Sequence, residues 1–169
     1  MKKRVLDLCL MAMMGVILTV SKQAMSALPN IEPVTLLVIL FTLAFGKRVV
    51  GALLVFLLTQ GLIYGFHIWW AMYLYVWPLL ALLTWLFRWM TRPWQWAILA
   101  GGFGLAFGSL CALVYLPQGL SWTLSWIVAG LYYDVGHAVG NFLLTLVLYL
   151  PLRRALDRLS AALPPGKTA

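Results

Sequence analysis

Apolar residues fill most of this chain in six runs, each bounded by charged residues or by Gly and Pro. The runs cover residues 5–21, 33–46, 49–64, 68–87, 93–115 and 122–152. A helix that spans a bilayer needs roughly 20 mostly apolar residues. The pattern therefore predicts an all-α integral membrane protein with six transmembrane helices in one domain, residues 1–169, and a disordered tail at residues 160–169.

Composition and charge agree with this class and orient the chain. Hydrophobic residues make up 64% of the 169 residues and charged residues only 9%, which is more apolar surface than a soluble domain of this size can bury. Eleven of the twelve basic residues fall on one side of the six runs, and only Lys22 falls on the other. Because Lys and Arg collect in cytoplasmic loops, both termini are predicted to be cytoplasmic. The net charge of +8 then predicts contact with the lipid bilayer and calls for no nucleic acid.

The sixth run contains polar residues where a membrane helix normally has none. Within "YYDVGHAVGN", residues 132–141, stand Asp134, His137 and Asn141. At 100° per residue they share an arc of roughly 120° with Trp126, Gly130, Tyr133 and Thr145. Ionisable groups inside a bilayer face a partner or a water-filled cavity. The stripe therefore predicts an outward-facing pocket, with the alternative that Asp134 and His137 satisfy only each other.

The first outer loop, "SALPNIEPV", offers an opposite wall for this pocket. Pro33 suits the first turn of a helix, which would make Glu32 its N-cap. The run after it has only about 14 residues before Lys47, roughly 21 Å of helix, so Glu32 is also expected below the outer surface. The predicted substrate-binding residues are Glu32, Gln60, Tyr64, His67, Trp70, Tyr73, Trp126, Tyr133, Asp134, His137 and Asn141.

Other patterns argue against catalysis. Gly101, Gly104 and Gly108 form a stripe for close helix packing, and the lysine and Ser/Thr of a phosphate loop are missing, so no ATPase activity is predicted. Ser109 and His137 could imitate a serine dyad, but no Gly-x-Ser-x-Gly elbow accompanies them. No HExxH or carboxylate-rich motif is present. The chain is therefore predicted to be no enzyme and to need no metal or cofactor.

Two segments, "ALPNIEPVTLLVILFTLAFGKRVVGAL" and "DVGHAVGN", together with six short spans and both ends inside, resemble the substrate-binding S-components of energy-coupling factor vitamin transporters. The resemblance implies a protein of the bacterial cytoplasmic membrane that captures a vitamin or its precursor from outside. It implies delivery by toppling in complex with a transmembrane coupling subunit and two ABC-type ATPases. Asn141 falls where this family frequently places a ligand-binding polar residue.

The resemblance also suggests a docking face on the first helix. Members of the family often carry an Ala-x-x-x-Ala pattern there, and this chain has Cys9, Ala12 and Gly15 instead, so the small residues are kept but the spacing is not.

The aromatic residues and carboxylates of the predicted pocket suit a flat, nitrogen-containing ligand. Pyridoxine-like, thiamine-like and pyrimidine or thiazole compounds all fit this description. The rival class is a proton-coupled secondary transporter of a small nitrogenous solute that uses Asp134 and His137 as its relay, although such folds usually contain an internal repeat, and none is visible here.

Overall fold

The computed structural model describes residues 2–28 and 31–162, and every described helix corresponds to a predicted apolar run. The helices are α1 (Lys2–Ala24), α2 (Val34–Phe45), α3 (Arg48–Tyr64), α4 (Ile68–Leu86), α5 (Pro93–Ala112) and α6 (Leu120–Ala162), and a short 3₁₀ segment, Leu113–Gln118, joins α5 to α6. No strand occurs within the described ranges. The predicted all-α fold is therefore confirmed for this part of the chain.

Four of the helices are long and apolar enough to cross a membrane, namely α1, α4, α5 extended by the 3₁₀ segment, and α6. The other two, α2 and α3, are apolar but shorter, with 12 and 17 residues. Apolar side chains also cover much of the outer surface of the bundle. These features are those of a multi-pass helical membrane protein.

The last helix is longer than predicted. It has 43 residues, about 65 Å at the helical rise, and continues beyond the predicted end at residue 152. The extension is stabilised by the pair of Arg153 and Asp157, one helical turn apart with 2.9 Å between Nε and Oδ2, and by Leu156, which packs on the core. Residues 160–162 are thus helical rather than part of the predicted tail, and residues 163–169 lie outside the described part.

Helix α2 is the centre of the bundle and contacts every other helix. Ten of its twelve residues are buried. Its sequence, VTLLVILFTLAF, is apolar on all sides, as expected for a helix that other helices surround. The short central helix leaves the segment before it, which contains Glu32, among the surrounding helices.

Helices α1 and α3 run parallel and in close register. Contacts along the pair join Asp7 with Arg48, Met11 with Gly51, Gly15 with Val55 and Thr19 with Thr59. A Cβ on Gly15 would lie 2.8 Å from the carbonyl oxygen of Ala52, so this glycine serves packing within the protein. The assignment of Gly15 to a partner-docking face is therefore wrong, whereas Cys9 and Ala12 are exposed.

Helices α5 and α6 are antiparallel and make the most extensive contact in the bundle. The glycine stripe of α5 faces α6: Gly101 lies against Phe142, Gly104 against the backbone of His137 and Ala138, and Gly108 against Asp134. The prediction that these glycines allow close helix packing is confirmed. The stripe also fixes the position of the polar residues of α6.

Candidate ligand-binding site

The polar stripe of α6 is turned into the bundle. Asp134, His137, Asn141 and Thr145 expose only 5%, 4%, 1% and 0% of their surfaces. Their spacing of three or four residues puts them on one helix face, and the glycines of α5 let that face approach closely. Tyr133 and Trp126, predicted on the same stripe, are instead exposed, and Trp126 packs against Tyr115 with 4.6 Å between ring centroids.

Glu32 reaches this stripe from the loop before α2. Its Oε1 lies 3.8 Å from Nε2 of His137, and its side chain is 15% exposed. The helix begins at Val34 with Pro33 at the N-cap and no capping side chain, so the alternative that Glu32 caps α2 is wrong. A carboxylate and an imidazole thus face each other inside the bundle at a distance beyond direct hydrogen bonding.

Asn141 is bound to a residue of the central helix α2. Its Nδ2 donates a hydrogen bond of 3.1 Å to Oγ1 of Thr35, and both residues are buried. The other end of the amide, Oδ1, has no partner among the described residues. Thr35 was not among the predicted site residues, although a polar side chain three positions after Glu32 in an apolar helix is the signal that would have identified it.

Asp134 is bound to the backbone of α5. Its Oδ1 accepts a hydrogen bond of 2.9 Å from the Gly108 N–H, because the missing side chain of Gly108 lets the carboxylate approach. No hydrogen bond or ion pair between Asp134 and His137 occurs within the described part of the chain. The alternative in which these two residues satisfy only each other therefore has no contact to support it.

Several buried polar atoms of the described chain have no protein partner, and those of His137, Asn141 and Thr145 lie on the stripe itself. In residues 2–28 and 31–162 they are both amide atoms of Gln60, Nε1 of Trp77 and of Trp96, Nε2 of His137, Oδ1 of Asn141 and Oγ1 of Thr145. Leaving such a group unpaired costs about 1–3 kcal/mol. Native proteins contain only a few of them per 100 residues, and each is explained by strain, by a water or ion, or by a functional role. A ligand with complementary donors and acceptors would satisfy several at once.

Aromatic rings wall the cluster on the side of α4 and α5. Phe107 meets His137 edge to face with centroids 4.8 Å apart, and Trp77 lies 5.6 Å from Phe107. Tyr73 lies 5.4 Å from Trp77, and Phe56 of α3 extends the wall at 5.9 Å from Trp77. Tyr73 was predicted from the sequence, whereas Trp77 and Phe107 were not assigned. Such a wall presents both ring faces and ring edges to a planar or cationic group.

A second group of predicted residues lies at the end of the bundle where α3 finishes and α4 begins. Tyr64 and His67 are exposed; the Tyr64 hydroxyl donates to Oε1 of Gln23, and the His67 ring contacts the Tyr64 carbonyl. Lys22 lies 5.3 Å from the centroids of both the Tyr64 and Trp69 rings. This group is separate from the buried cluster but connected to it through Trp69, whose ring is 4.5 Å from that of Tyr73.

The side chain of Trp70 makes contacts within the protein that serve packing. Its Nε1 donates a hydrogen bond of 2.8 Å to the carbonyl oxygen of Leu57, and its ring packs edge to face on Phe66. The structure therefore brings together Glu32, Asp134, His137 and Asn141, places Gln60 and Tyr73 among the buried residues, and leaves Tyr64, His67, Trp70, Trp126 and Tyr133 outside the cluster.

Comparisons with known protein families, with curated proteins and with solved structures give no match to this chain. Within the described ranges, no group of three or more His, Cys, Asp and Glu side chains is arranged to hold a metal ion. Fold and site together define a multi-pass helical membrane protein with a buried polar cluster beside an aromatic wall.

Proposed function

We propose that this protein is the substrate-binding S-component of an energy-coupling factor transporter in the bacterial cytoplasmic membrane. It binds a small aromatic vitamin or vitamin precursor from outside and delivers it by toppling in complex with a transmembrane coupling subunit and two ABC-type ATPases. The observation that carries the proposal is that Nε2 of His137, Oδ1 of Asn141 and Oγ1 of Thr145 are buried without a partner on one helix face, which the ring of Phe107 borders. Convergent polar groups beside apolar and aromatic side chains are typical of small-molecule sites.

The chemistry of the cluster supports a planar, nitrogen-containing ligand. Glu32 and Asp134 are the acidic groups, Asn141 offers a free amide oxygen, and the described core contains no Lys or Arg. Tyr73 and Trp77 supply ring surface for stacking or cation–π contact. Pyridoxine-like, thiamine-like and pyrimidine or thiazole compounds have a flat ring with nitrogen atoms that these groups can bind, whereas a dianionic ligand would meet two carboxylates and no Lys or Arg.

The proposal is tested by a binding screen of the detergent-purified protein against a vitamin panel. Because the cluster is inside a helical bundle, a bound ligand should raise the melting temperature in proportion to the logarithm of its concentration above Kd. We expect saturable stabilisation by one aromatic nitrogenous compound and none by dicarboxylates or sugars. Stabilisation by anionic compounds only would contradict the proposal.

The proposal includes six spans with cytoplasmic termini, which cysteine labelling tests. In a background of Cys9→Ser and Cys111→Ala, a cysteine at Gln118 should react with an impermeant maleimide in intact cells. Cysteines at Lys47 or Arg153 should react only after permeabilisation, since basic residues mark the inner side. The reverse pattern would place the polar cluster on the wrong side for uptake.

The proposed role as an S-component also predicts that ligand binding and ATP-driven transport belong to different proteins. The purified protein alone in liposomes should bind its ligand but neither hydrolyse ATP nor accumulate ligand, because the sequence lacks a phosphate loop. Accumulation should require ATP together with separate coupling and ATPase subunits, measured with radiolabelled ligand. Uptake by the protein alone, driven by a proton gradient, would instead favour the secondary transporter that uses Asp134 and His137 as its relay, with Glu32, 3.8 Å from His137, as a further titratable group.

A further inference from the structure

A second concave feature lies away from the polar cluster, on the lipid-facing side of the bundle between α3 and α4. It is a groove of about 390 Å³ with an almost wholly apolar lining. Pro78 and Ala81 of α4 contribute little side-chain volume at this position, which leaves the groove open, while Leu54 and Leu82 form its edges and remain exposed to the surroundings.

The length of the groove matches one leaflet of a bilayer. Along α3 it runs from Lys47 to Leu57, and along α4 from Trp85 to Leu74. Each stretch is about 15 Å long at the helical rise, half of a hydrocarbon core of about 30 Å. The groove thus extends from one membrane interface to about the bilayer midplane.

The shape of the groove suits a single hydrocarbon chain. Its volume of about 390 Å³ is spread over about 15 Å of helix. It is open on the side where Leu54 and Leu82 are exposed, so a chain can enter it from the surrounding lipid.

One end of the groove is positively charged and the other is apolar. Lys47 lines the charged end, is exposed, and makes no ion pair or side-chain hydrogen bond within the described ranges. Its neighbour Arg48 is instead bound to Asp7, with 2.6 Å between nitrogen and oxygen. Arg88 adds a second cation, since its guanidinium lies 5.2 Å from the ring centroid of Trp85, which also lines this end. A tryptophan beside cations is typical of the headgroup region.

We propose that this groove binds an anionic phospholipid of the adjacent leaflet, with one acyl chain between α3 and α4 and the phosphate beside Lys47. An acyl chain gains little free energy by moving from the bulk lipid into the groove, because both surroundings are apolar. Selectivity for one lipid over another therefore comes from the charge at Lys47. Each basic side chain near a membrane surface favours an anionic headgroup about fivefold.

Native mass spectrometry of the full chain in mixed micelles tests this proposal. The probes are dioleoyl phosphatidylglycerol and dioleoyl phosphatidylcholine at equal concentrations. We expect one phosphatidylglycerol to bind at least about fivefold more tightly than phosphatidylcholine. Lys47→Gln should lower that preference by about fivefold, whereas Arg154→Gln should preserve it, because Arg154 lies on α6, which contacts neither α3 nor α4 in the described part.

A second variant tests the groove itself. Leu82→Trp adds bulk at an exposed groove position and should abolish the one tightly bound phosphatidylglycerol, whereas Leu62→Trp, on an exposed position of α3 outside the groove, should retain it. Equal affinity for the two lipids in the unmodified protein would overturn the proposal. An equal effect of Lys47→Gln and Arg154→Gln would also overturn it. Full phosphatidylglycerol binding by a folded Leu82→Trp protein that no longer associates with a coupling subunit would do so too, and would assign the groove to a protein partner.

Discussion

Gly104→Ala should lower the stability of this protein, because the added methyl group would collide with the backbone of α6. A Cβ at this position would lie 2.8 Å from the carbonyl oxygen of His137, 2.9 Å from its carbonyl carbon and 3.0 Å from Cα of Ala138. These are backbone atoms and cannot rotate away, so α5 and α6 must separate. Overpacking of this kind costs about 1–3 kcal/mol. The loss should be measured as a fall in melting temperature of the ligand-free protein in detergent.

Gly102→Ala is the matched control for this prediction. It adds the same methyl group two residues earlier on the same helix, where nothing lies within 4 Å of the added Cβ. Alanine is favoured over glycine in a helix by about 1 kcal/mol in water, so this variant should be as stable as the unmodified protein or slightly more stable. Equal destabilisation by both substitutions would mean that helix propensity or lipid contact, rather than the approach of α6, sets the effect.

The α5–α6 contact illustrates what could be predicted from the sequence. Gly101, Gly104 and Gly108 recur at helical spacing, as do Asp134, His137 and Asn141, and a one-dimensional pattern is enough to place each set on one face. A polar face in an apolar helix must also turn inward, which the burial of these residues confirms. Helix number and approximate bounds follow instead from the lengths of the apolar runs and from the charged, Gly and Pro residues between them.

Depth and distant partners could not be predicted in this way. Tyr133 and Trp126 fall at one edge of the arc and are exposed, although Thr123 and Asp134 on the same stretch of α6 are buried. Periodicity gives the direction of a side chain but not what stands opposite. The contact of Glu32 with His137 and the hydrogen bond of Asn141 to Thr35 join residues about a hundred positions apart, and only the packing of α2 against α6 brings them together.

One of the three docking residues, Gly15, was misplaced for a similar reason. Gly15 was grouped with Cys9 and Ala12 because small residues permit close approach, but the sequence does not say which neighbour approaches. In the structure that neighbour is α3, against which Gly15 packs at the level of Ala52 and Val55. The hydroxyls of Thr19 and Thr59, 2.6 Å apart, belong to the same series of contacts between the parallel helices α1 and α3.

Glu32→Gln should cause the largest loss of ligand binding of any isosteric substitution in the cluster. The change keeps the shape of the side chain and removes its charge, which in the proposed site meets a cationic or protonated aromatic nitrogen beside Tyr73 and Trp77. Removing one partner of a buried charge pair costs about 2–5 kcal/mol, so Kd should rise by about 30-fold or more. Calorimetric titration with the panel compound that stabilises the unmodified protein measures this change.

The melting temperature without ligand separates this role from a structural one. Burying a carboxylate is costly, and Glu32 makes no hydrogen bond within the described residues to offset the cost, its nearest polar contact being His137 at 3.8 Å. Glu32→Gln should therefore leave the ligand-free protein as stable as before or more stable.

Asp157→Asn is the control, since Asp157 pairs with Arg153 on the exposed end of α6, where such pairs contribute at most about 0.5 kcal/mol. It should change neither quantity. A fall in melting temperature with unchanged affinity for Glu32→Gln would show that Glu32 and His137 stabilise the bundle, and the polar cluster would then lose its assignment as the ligand site.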